Sequence, residues 1–357
     1  MASSTLPSTM YAWQGSPRGK VLTKVNVPVP QFEPDGILVK VFASGVCHSD
    51  CFILSSPPEM FRHWKSPFTM GHEGSGQIMK LGSGLTGSKF HERQSVVVLC
   101  TPGCNKESCG ECSRGLHNLC KIGESPGLGT DGVFAQYIAV KPWGIVPLPD
   151  GIPHEVAAVT SDAVLTAFHA VKVAANLLPG QTVIIYGLGG VGFNALQMAQ
   201  HLRAARIIVV DRRMQPLDKA VELGVAKDDA IFSEGDIKLT EKVAKEDIIA
   251  DCAIDFVGTQ ETFTAAQLSV RSGGTVVLAG LFADQVPIIS LLAVTRGIRF
   301  QCSYNGTREE LVECLELVAK GVIKPSIQTG SIDDLPQVLE DLDNGRVKSR
   351  MVLIPTT

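Results

Sequence analysis

The segment GVCHSD places a thiol, an imidazole, a hydroxyl and a carboxylate at four consecutive positions, Cys47 to Asp50. A thiol beside an imidazole can act as a nucleophile with its base. A cysteine can equally supply one ligand of a metal site. Cys47 could also be a buried cysteine next to an unrelated surface histidine. These four residues leave the three interpretations open, so the rest of the chain has to distinguish between them.

A second concentration of thiols lies in CNKESCGECSRGLHNLC, with the spacing C-x4-C-x2-C-x7-C. Four thiolates brought together by glycine-containing turns suit a tetrahedral structural zinc, and such a closed site leaves no position for a substrate. A cluster of free thiols is the alternative. The predicted zinc would stabilise a loop over about residues 100–121. Its ligands would be Cys104, Cys109, Cys112 and Cys120.

A glycine-rich turn, YGLGGVG, follows the strand-like TVIIYG and opens a helix-like segment. In such a turn the backbone approaches a pyrophosphate, and the helix N-terminus attracts the anion. The glycines of the turn are Gly187, Gly189, Gly190 and Gly192. Asp211 ends the next strand-like run and could hold ribose hydroxyls, which favours NAD(H) over NADP(H). Arg212 and Arg213 temper that preference, since either could accommodate a 2′-phosphate.

Two kinds of segment must position these residues. Residues 20–140 consist of short apolar strands broken by Gly and Pro, which indicates a β-rich region. From there to about residue 300, strand-like and helix-like runs alternate, which predicts parallel strands with crossover helices. Two further helices are predicted in the tail, the first with Thr307 and Glu310 in capping-box register. A length of 357 residues fits two domains.

Composition limits the possible partners and location. Hydrophobic residues are 45% and charged residues 19%, with a net charge of -4 and no basic run, so neither nucleic acid nor an anionic membrane is an expected partner. The N-terminal residues lack the basic and apolar regions of a secretory signal, and the absence of a window of about 18 apolar residues predicts no membrane-spanning segment. A cytoplasmic location is therefore predicted.

Together, GVCHSD, GHEGSG (71–76), the cysteine lobe and GLGGVG resemble the zinc-dependent alcohol dehydrogenases of the medium-chain dehydrogenase/reductase superfamily. The resemblance continues in order through GTDGVFAQY, DAVLTAFHA, GTVVLAGL and SRMVL. It implies an α/β protein with a GroES-like, partly open β-barrel catalytic domain, residues 1–162 and 299–357. A Rossmann domain with a doubly wound parallel sheet, residues 163–298, would bind NAD. A homodimer or homotetramer formed through the nucleotide domains is also implied.

The resemblance implies a catalytic zinc bound by Cys47 and His72, which makes two zinc ions per chain with the lobe. The family's third ligand is usually a cysteine just before the nucleotide domain, and here Asp162 stands in its place. Either the metal is lost or Asp162 is the ligand. The second is preferred, because carboxylate is an ordinary zinc ligand and keeps the charge sum unchanged. Glu73 could approach the zinc or form a salt bridge beside it.

The resemblance also assigns roles around the metal. Ser49 corresponds to the hydroxyl that contacts the substrate oxygen and starts a proton relay. Asp50 corresponds to the acid that hydrogen-bonds the zinc-bound imidazole, and His48 to a basic residue near the pyrophosphate. Many members carry a histidine where Phe52 stands, and phenylalanine cannot pass a proton to solvent. His63 could help, although a surface histidine is preferred.

Further cofactor contacts are implied by position. Val191 should press on the nicotinamide ring with Thr166 beside it. Ala279 and Leu281 should offer backbone groups to the carboxamide. Arg350 should reach the pyrophosphate.

The implied reaction transfers hydride between a small alcohol, aldehyde or ketone and NAD(H), with zinc as Lewis acid. One rival is a zinc-free reductase of quinones or enones, whose members generally lack this ligand set and the cysteine lobe. The other is a non-catalytic zinc scaffold, supported only by Asp162 and Phe52. The substrate is not determined by the sequence, but its pocket is predicted to include Cys100 and PPEMFRHW, residues 57–64.

Overall fold

The computed structural model describes residues 6–16, 21–233, 240, 241, 243 and 248–356. The chain divides into two compact units. The first unit comprises Met1–Asp162, Gly306–Ala319 and Pro325–Thr357, and the second comprises Ala163–Asn305 and Lys320–Lys324.

The first unit contains a small antiparallel sheet, in the order β2-β1-β4, and a larger mixed sheet, in the order β15-β16-β3-β5-β6-β8 with β7 also paired to β3. Its strands are β1 (Thr9–Ser16), β2 (Val21–Pro28), β3 (Ile37–Val46), β4 (Phe68–Thr69), β5 (Glu73–Leu81), β6 (Ser95–Val98), β7 (Tyr137–Val140), β8 (Ile145–Pro147), β15 (Ile327–Ser331) and β16 (Arg350–Ile354). Its helices are α1 (His48–Ser55), α2 (His154–Val159), α8 (Arg308–Ala319) and α9 (Leu335–Asp343).

The second unit is a six-stranded parallel sheet in the order β11-β10-β9-β12-β13-β14, with helices between the strands. Its strands are β9 (Thr182–Tyr186), β10 (Arg206–Asp211), β11 (Ala230–Phe232), β12 (Ala250–Asp255), β13 (Val270–Leu278) and β14 (Arg299–Cys302). Its helices are α3 (Leu165–Phe168), α4 (Gly192–His201), α5 (Met214–Glu222), α6 (Gln260–Leu268) and α7 (Ser290–Arg296). The α/β class with a mixed sheet and a separate parallel sheet is confirmed.

Short 3₁₀ turns link these elements. They are Pro58–Phe61, Ser83–Leu85, Cys112–Arg114, His117–Leu119, Pro142–Gly144, Lys227–Asp229 and Ile332–Asp334.

The second compact unit extends as far as Asn305, and the domain bounds predicted from the sequence, 1–162 with 299–357 and 163–298, stay a prediction. Strand β14 pairs in parallel with β13, with Thr275 opposite Arg299, and contact clustering keeps the chain in the second unit as far as Asn305. Strand β14 thus completes the parallel sheet.

The tail helices form as the capping signals predict. The amide of Thr307 donates to Glu310 Oε2 (2.8 Å), and the amide of Glu310 donates to Thr307 Oγ1 (3.3 Å). This reciprocal pair satisfies two of the free N–H groups at the start of α8.

Central strand β3 is buried along nearly its whole length, and its antiparallel pairing with β5 places Gly45 opposite Glu73. A Cβ at Gly45 would collide with the Glu73 carboxylate. The absence of a side chain at Gly45 therefore makes room for a buried acid at the start of β5.

A continuous helical segment, His154–Ala174, has the length and apolar composition that a membrane-spanning helix needs. The composition-based expectation that no such segment exists is therefore wrong. However, 72% of its apolar window is buried inside the structure, which is typical of a core helix.

Part of this segment, Thr160–Val164, is π-helical. Widened turns of this kind occur mostly as single turns inside α-helices, often at functional sites. The Thr160 hydroxyl donates to the carbonyl of Val156 and the Ser161 hydroxyl to that of Ala158, each at 2.7 Å. These hydroxyls occupy carbonyls of the preceding turn, directly before Asp162.

Candidate metal centre and dinucleotide site

The structure brings Cys47, His72, Glu73 and Asp162 together in the first unit. Their ligand atoms all lie within 4.8 Å of one another, and all four residues are buried. Cys47 follows β3, and Asp162 lies in the π-helical turn. Glu73 begins β5, and His72 immediately precedes it. Three separate elements thus converge on one cluster of sulfur, nitrogen and oxygen donors.

The imidazole of His72 lies between two carboxylates. Its Nδ1 is 3.3 Å from Asp50 Oδ1, and its Nε2 is 3.8 Å from Asp162 Oδ2. Asp50 is fully buried, and its other oxygen accepts from the backbone amide of Cys47 (3.0 Å). A proton on Nδ1 would face Asp50 and leave Nε2 to face a metal, which is the usual arrangement of a histidine ligand.

Charged groups within the cluster shift the pKa values of His72 and Cys47. Burial acts to lower the pKa of His72, but Asp50 and Asp162 outweigh it and raise that pKa well above its usual value. Burial acts to raise the pKa of Cys47, but Arg350 and His72 offset it, and the net pKa is lowered. A lowered thiol pKa favours the thiolate, which is the form that binds metals.

Arg350 lies inside this cluster. Its Nε donates to Glu73 Oε2 (3.1 Å), and its Nη2 donates both to Glu73 Oε1 and to Asp162 Oδ2, the latter at 2.8 Å. Arg350 is 8% exposed and Glu73 is fully buried. The pyrophosphate contact expected of Arg350 stays a prediction. The salt bridge considered for Glu73 is present.

Ser49 lies at the edge of the cluster. The thiol of Cys47 approaches Ser49 Oγ at 3.5 Å, and Ser49 is partly exposed in α1. His48 is exposed, and His63 is exposed and hydrogen-bonded to Arg62 (3.2 Å). The Ser49 hydroxyl thus lies beside the sulfur of the donor cluster, and its contact with substrate stays a prediction.

Aromatic rings extend from α1 into the predicted pocket wall. Phe52 meets Phe61 edge-on at 6.2 Å, Phe61 stacks on Trp64 at 4.2 Å, and Trp64 meets Phe68 edge-on at 5.8 Å between ring centroids. Cys100 is buried, and burial raises its pKa to about 12, so it is a neutral thiol. Phe52 belongs to an apolar packing chain and offers no path for a proton.

The four cysteines of the lobe converge as their spacing predicts. Their Sγ atoms lie within 4.8 Å of one another, with Cys104 and Cys112 3.7 Å apart and Cys109 and Cys120 3.8 Å apart. Asn105 adopts a left-handed conformation (φ 52°), which turns the chain directly after the first thiol. The four-residue gap between Cys104 and Cys109 therefore does not prevent the four thiols from clustering.

The glycine turn of the second unit connects β9 to α4. Gly187 has a φ of 88°, and a Cβ at Gly192 would strike the carbonyl of Gly187. Asp211 ends β10, and its Oδ2 accepts from the amide of Leu188 in the turn (2.7 Å). Its Oδ1 accepts from the amide (2.9 Å) and Nε (3.2 Å) of Arg213. Asp211 therefore braces the turn, and its contact with ribose stays a prediction.

The other predicted cofactor residues occupy this unit. Val191 immediately precedes α4, Thr166 lies in α3, and Arg212 is exposed after β10. The amide of Ala279 donates to the carbonyl of Asp255 (2.9 Å), so only its carbonyl remains for a carboxamide. Leu281 is 58% exposed.

One supporting residue was missed by sequence reasoning. Asp255 ends β12 fully buried, and its carboxylate accepts from the amides of Val257 (2.8 Å) and Gly258 (2.9 Å) and from the Thr262 hydroxyl (2.8 Å). Burial raises the pKa of Asp255. The signal was present in CAIDFVG, an acid at the carboxyl end of a parallel strand, where ligand-binding loops begin.

Comparison with known proteins gives the class. Residues 33–150 match the alcohol dehydrogenase GroES-like domain, and residues 190–320 match the zinc-binding dehydrogenase domain. Alcohol dehydrogenase 1 of Emericella nidulans is 32% identical, over 98% of this chain and 99% of that protein.

Solved structures of alcohol dehydrogenases and a ketone reductase match nearly the whole chain. Acetophenone reductase from Geotrichum candidum, in complex with NAD, is 32% identical with a TM-score of 0.86, covering 98% of each chain. The alcohol dehydrogenase of Aeropyrum pernix is 28% identical with a TM-score of 0.86, covering 97% of this chain and 100% of that one. The chain belongs to the zinc-dependent alcohol dehydrogenases of the medium-chain dehydrogenase/reductase superfamily, as its motifs predicted, and it is an oxidoreductase.

Proposed function

We propose that this enzyme transfers hydride between NAD(H) and a small alcohol, aldehyde or ketone, using zinc held by Cys47, His72 and Asp162. The supporting observation is the buried cluster of sulfur, nitrogen and oxygen donors within 4.8 Å, with the histidine oriented by Asp50. Tetrahedral zinc needs ligand atoms roughly 3.3–3.8 Å apart, so a small contraction suffices. Bound zinc supplies a Lewis acid that polarises the substrate oxygen.

The residues of the chain supply orientation and proton movement. Asp50 fixes the imidazole of His72, so its Nε2 faces the donor cluster. The Ser49 hydroxyl, 3.5 Å from the Cys47 sulfur, takes the hydroxyl proton of an alcohol or returns it to a product. Phe52 cannot carry the proton onward. The proton therefore passes from Ser49 to the cofactor ribose hydroxyl or to another base.

Zinc content and turnover together test this function. The purified chain should contain close to two zinc atoms and should oxidise NADH with members of a panel of aliphatic and aryl aldehydes and ketones. Two zinc atoms without turnover of any carbonyl compound would instead favour the non-catalytic scaffold. Turnover of quinones or enones by chain stripped of zinc would favour the zinc-free reductase.

We also propose that NAD(H) is preferred over NADP(H), with Arg213 limiting the preference. The Asp211 carboxylate repels a 2′-phosphate, but the Arg213 guanidinium at 3.2 Å partly neutralises it. Replacing Arg213 with Ser should raise the ratio of kcat/KM for NADH over NADPH by roughly three- to tenfold, since a pair at this surface contributes about 1 kcal/mol. Equal ratios in the variant and the parent would show that Arg213 has no influence.

A homodimer or homotetramer formed through the second unit is part of the proposal. Large apolar side chains are exposed around α7, including Phe282 (80%), Leu291 (76%) and Val294 (80%), and β14 forms one edge of the six-stranded sheet. Exposed apolar groups beside an edge strand favour association with another chain. The cytoplasmic location stays a prediction.

A further inference from the structure

Arg350 makes unequal contacts with the two acids beside it. It engages both oxygens of Glu73, one through Nε and one through Nη2. It engages Asp162 through Nη2 alone, at 2.8 Å from Oδ2. A two-point contact between guanidinium and carboxylate fixes orientation as well as charge, whereas a single contact constrains the orientation of the carboxylate less.

The ion pair between Arg350 and Glu73 is buried, so losing either partner is costly. Glu73 is fully buried, Arg350 is 8% exposed, and the Glu73 carboxylate lies within 4.8 Å of the other donors. Removing one partner of a buried ion pair leaves an uncompensated charge, which is strongly unfavourable. A Glu73 carboxylate without its guanidinium would therefore turn to the nearest remaining cation, which is the metal.

The contact with Arg350 requires an acid at position 162. A carboxylate accepts a charge-assisted hydrogen bond from Arg350, whereas a cysteine sulfur at that position would be a weak acceptor. The acid at position 162 thus gives the guanidinium a second partner among the metal donors.

We propose that Arg350 is a positioning residue that holds Glu73 out of the metal coordination sphere and steadies Asp162 within it, so that one coordination position stays open for substrate. The inference rests on the proposed function, because it requires a metal bound at this cluster. It assigns Arg350 a role that does not involve the cofactor.

Binding of an external ligand to the metal tests the inference without cofactor. Cobalt(II) would be introduced at this site with zinc retained in the cysteine lobe, and imidazole binding would be followed by the cobalt absorption bands. The variants are Arg350→Gln, Glu73→Gln and the double variant. Arg346→Gln is the control, because Arg346 is exposed and bonded to Asp341 (2.8 Å).

The Arg350→Gln variant should bind imidazole roughly tenfold more weakly, because Glu73 occupies the open position. Glu73→Gln and the control should bind as the parent does, and the double variant should return to within about twofold. Unchanged affinity in Arg350→Gln, or a double variant as weak as the single one, would overturn the inference.

Two additions keep the outcome clear. If Arg350→Gln does not fold, Arg350→Lys replaces it. The Arg350→Lys variant should bind imidazole more weakly than the parent, though by a smaller factor, because one ammonium cannot engage both Glu73 oxygens and Asp162. Parent-like affinity for imidazole in this variant would overturn the inference. Asp162→Ala serves as the spectral blank. A parent protein with the same spectrum as this blank would contradict the proposed function itself, which is a different failure.

Discussion

Asp162 is the residue on which the proposed metal site depends most directly. It takes the place of the family's usual cysteine, and the structure places it 3.8 Å from His72 Nε2 and 2.8 Å from Arg350. A carboxylate at that distance can become the third ligand with little movement. The harder oxygen donor should also leave the metal more electrophilic than two thiolates would.

Replacing Asp162 with Asn should remove one zinc atom per chain and lower kcat/KM at least 100-fold, because a neutral amide is a poor ligand. Asp162→Cys should keep both zinc atoms. Elemental analysis and NADH oxidation measure these outcomes. Asp150→Asn, at an exposed acid, is the control. Full zinc content and full rate in Asp162→Asn would show that Asp162 is not a ligand.

His154 is a second residue with a measurable consequence. The Ser75 hydroxyl donates to the Val96 carbonyl (3.0 Å) and lies 2.8 Å from His154 Nδ1. Because its one hydrogen is used, the Ser75 oxygen must accept a hydrogen bond from the Nδ1–H of His154. Ser95 lies 3.4 Å from Nε2, and Phe42 packs edge-on against the ring. These partners suit a neutral imidazole.

Burial lowers the pKa of His154 below its model-compound value of 6.5. The unfolded chain therefore binds a proton at a higher pH than the folded one, and stability falls as the pH drops through 6.5 towards the folded pKa. His154→Gln should show a smaller loss of stability than the parent between pH 7.5 and pH 5.5 in urea unfolding. His201→Gln, at an exposed position, should lose as much as the parent.

At the scale of elements, the π-helical turn is the feature that sets the direction of Asp162. An ordinary α-helical turn would rotate each following side chain away from its present position, so the wider turn decides whether the acid faces His72. The hydroxyls of Thr160 and Ser161 each bond a carbonyl of the preceding turn at 2.7 Å. They thereby support a backbone geometry that is less favourable than the α-helix.

The double variant Thr160→Val/Ser161→Ala should weaken zinc binding at this site roughly tenfold while the chain stays folded. Competition with a zinc chelator measures the affinity, and circular dichroism checks the fold. Thr264→Val is a matched control, because the Thr264 hydroxyl makes the same kind of bond to Gln260 (2.6 Å) within an ordinary helix. Unaltered zinc affinity in the double variant would show that the hydroxyls do not set the turn.

Local spacing predicted some elements and not others. The cysteine lobe lies within one short segment, and the glycine turn lies between adjacent elements, so their residue types and spacing carry the information. Arg350 is 277 residues from Glu73 and 188 residues from Asp162 along the chain, and nothing local reports their contact. The π-helical turn was also missed, because TSDAV is compatible with an ordinary helix and the acid's direction depends on packing.

At the scale of the whole molecule, both ends of the chain build the first unit. Strand β16 pairs antiparallel with β3, placing Met351 opposite Val46, directly before Cys47. Arg350 thus enters the metal cluster only when the C-terminal segment has joined the sheet. We expect truncations before β16 to lose this centre while the motifs near the N-terminus remain in the sequence.

Association of chains is the prediction that belongs to this scale. Val294→Asp should lower the mass measured by size-exclusion chromatography with light scattering, because a charge in a buried apolar contact is unfavourable. Ile122→Asp, at a residue 67% exposed in the first unit, should leave the mass unchanged. A parent protein of monomer mass would contradict association altogether.

On the proposed preference for NAD(H), Asp211 also limits attempts to convert the enzyme to NADP(H). Exchanging the acid for a small neutral residue is the obvious route, yet its Oδ2 also accepts from Leu188 and so holds the glycine turn in shape. Such a redesign would accept NADP(H) but would lower the thermal stability of the enzyme, because the turn loses this hydrogen bond. An engineer would do better to keep the acid and add positive charge around Arg212, where the side chain is already exposed.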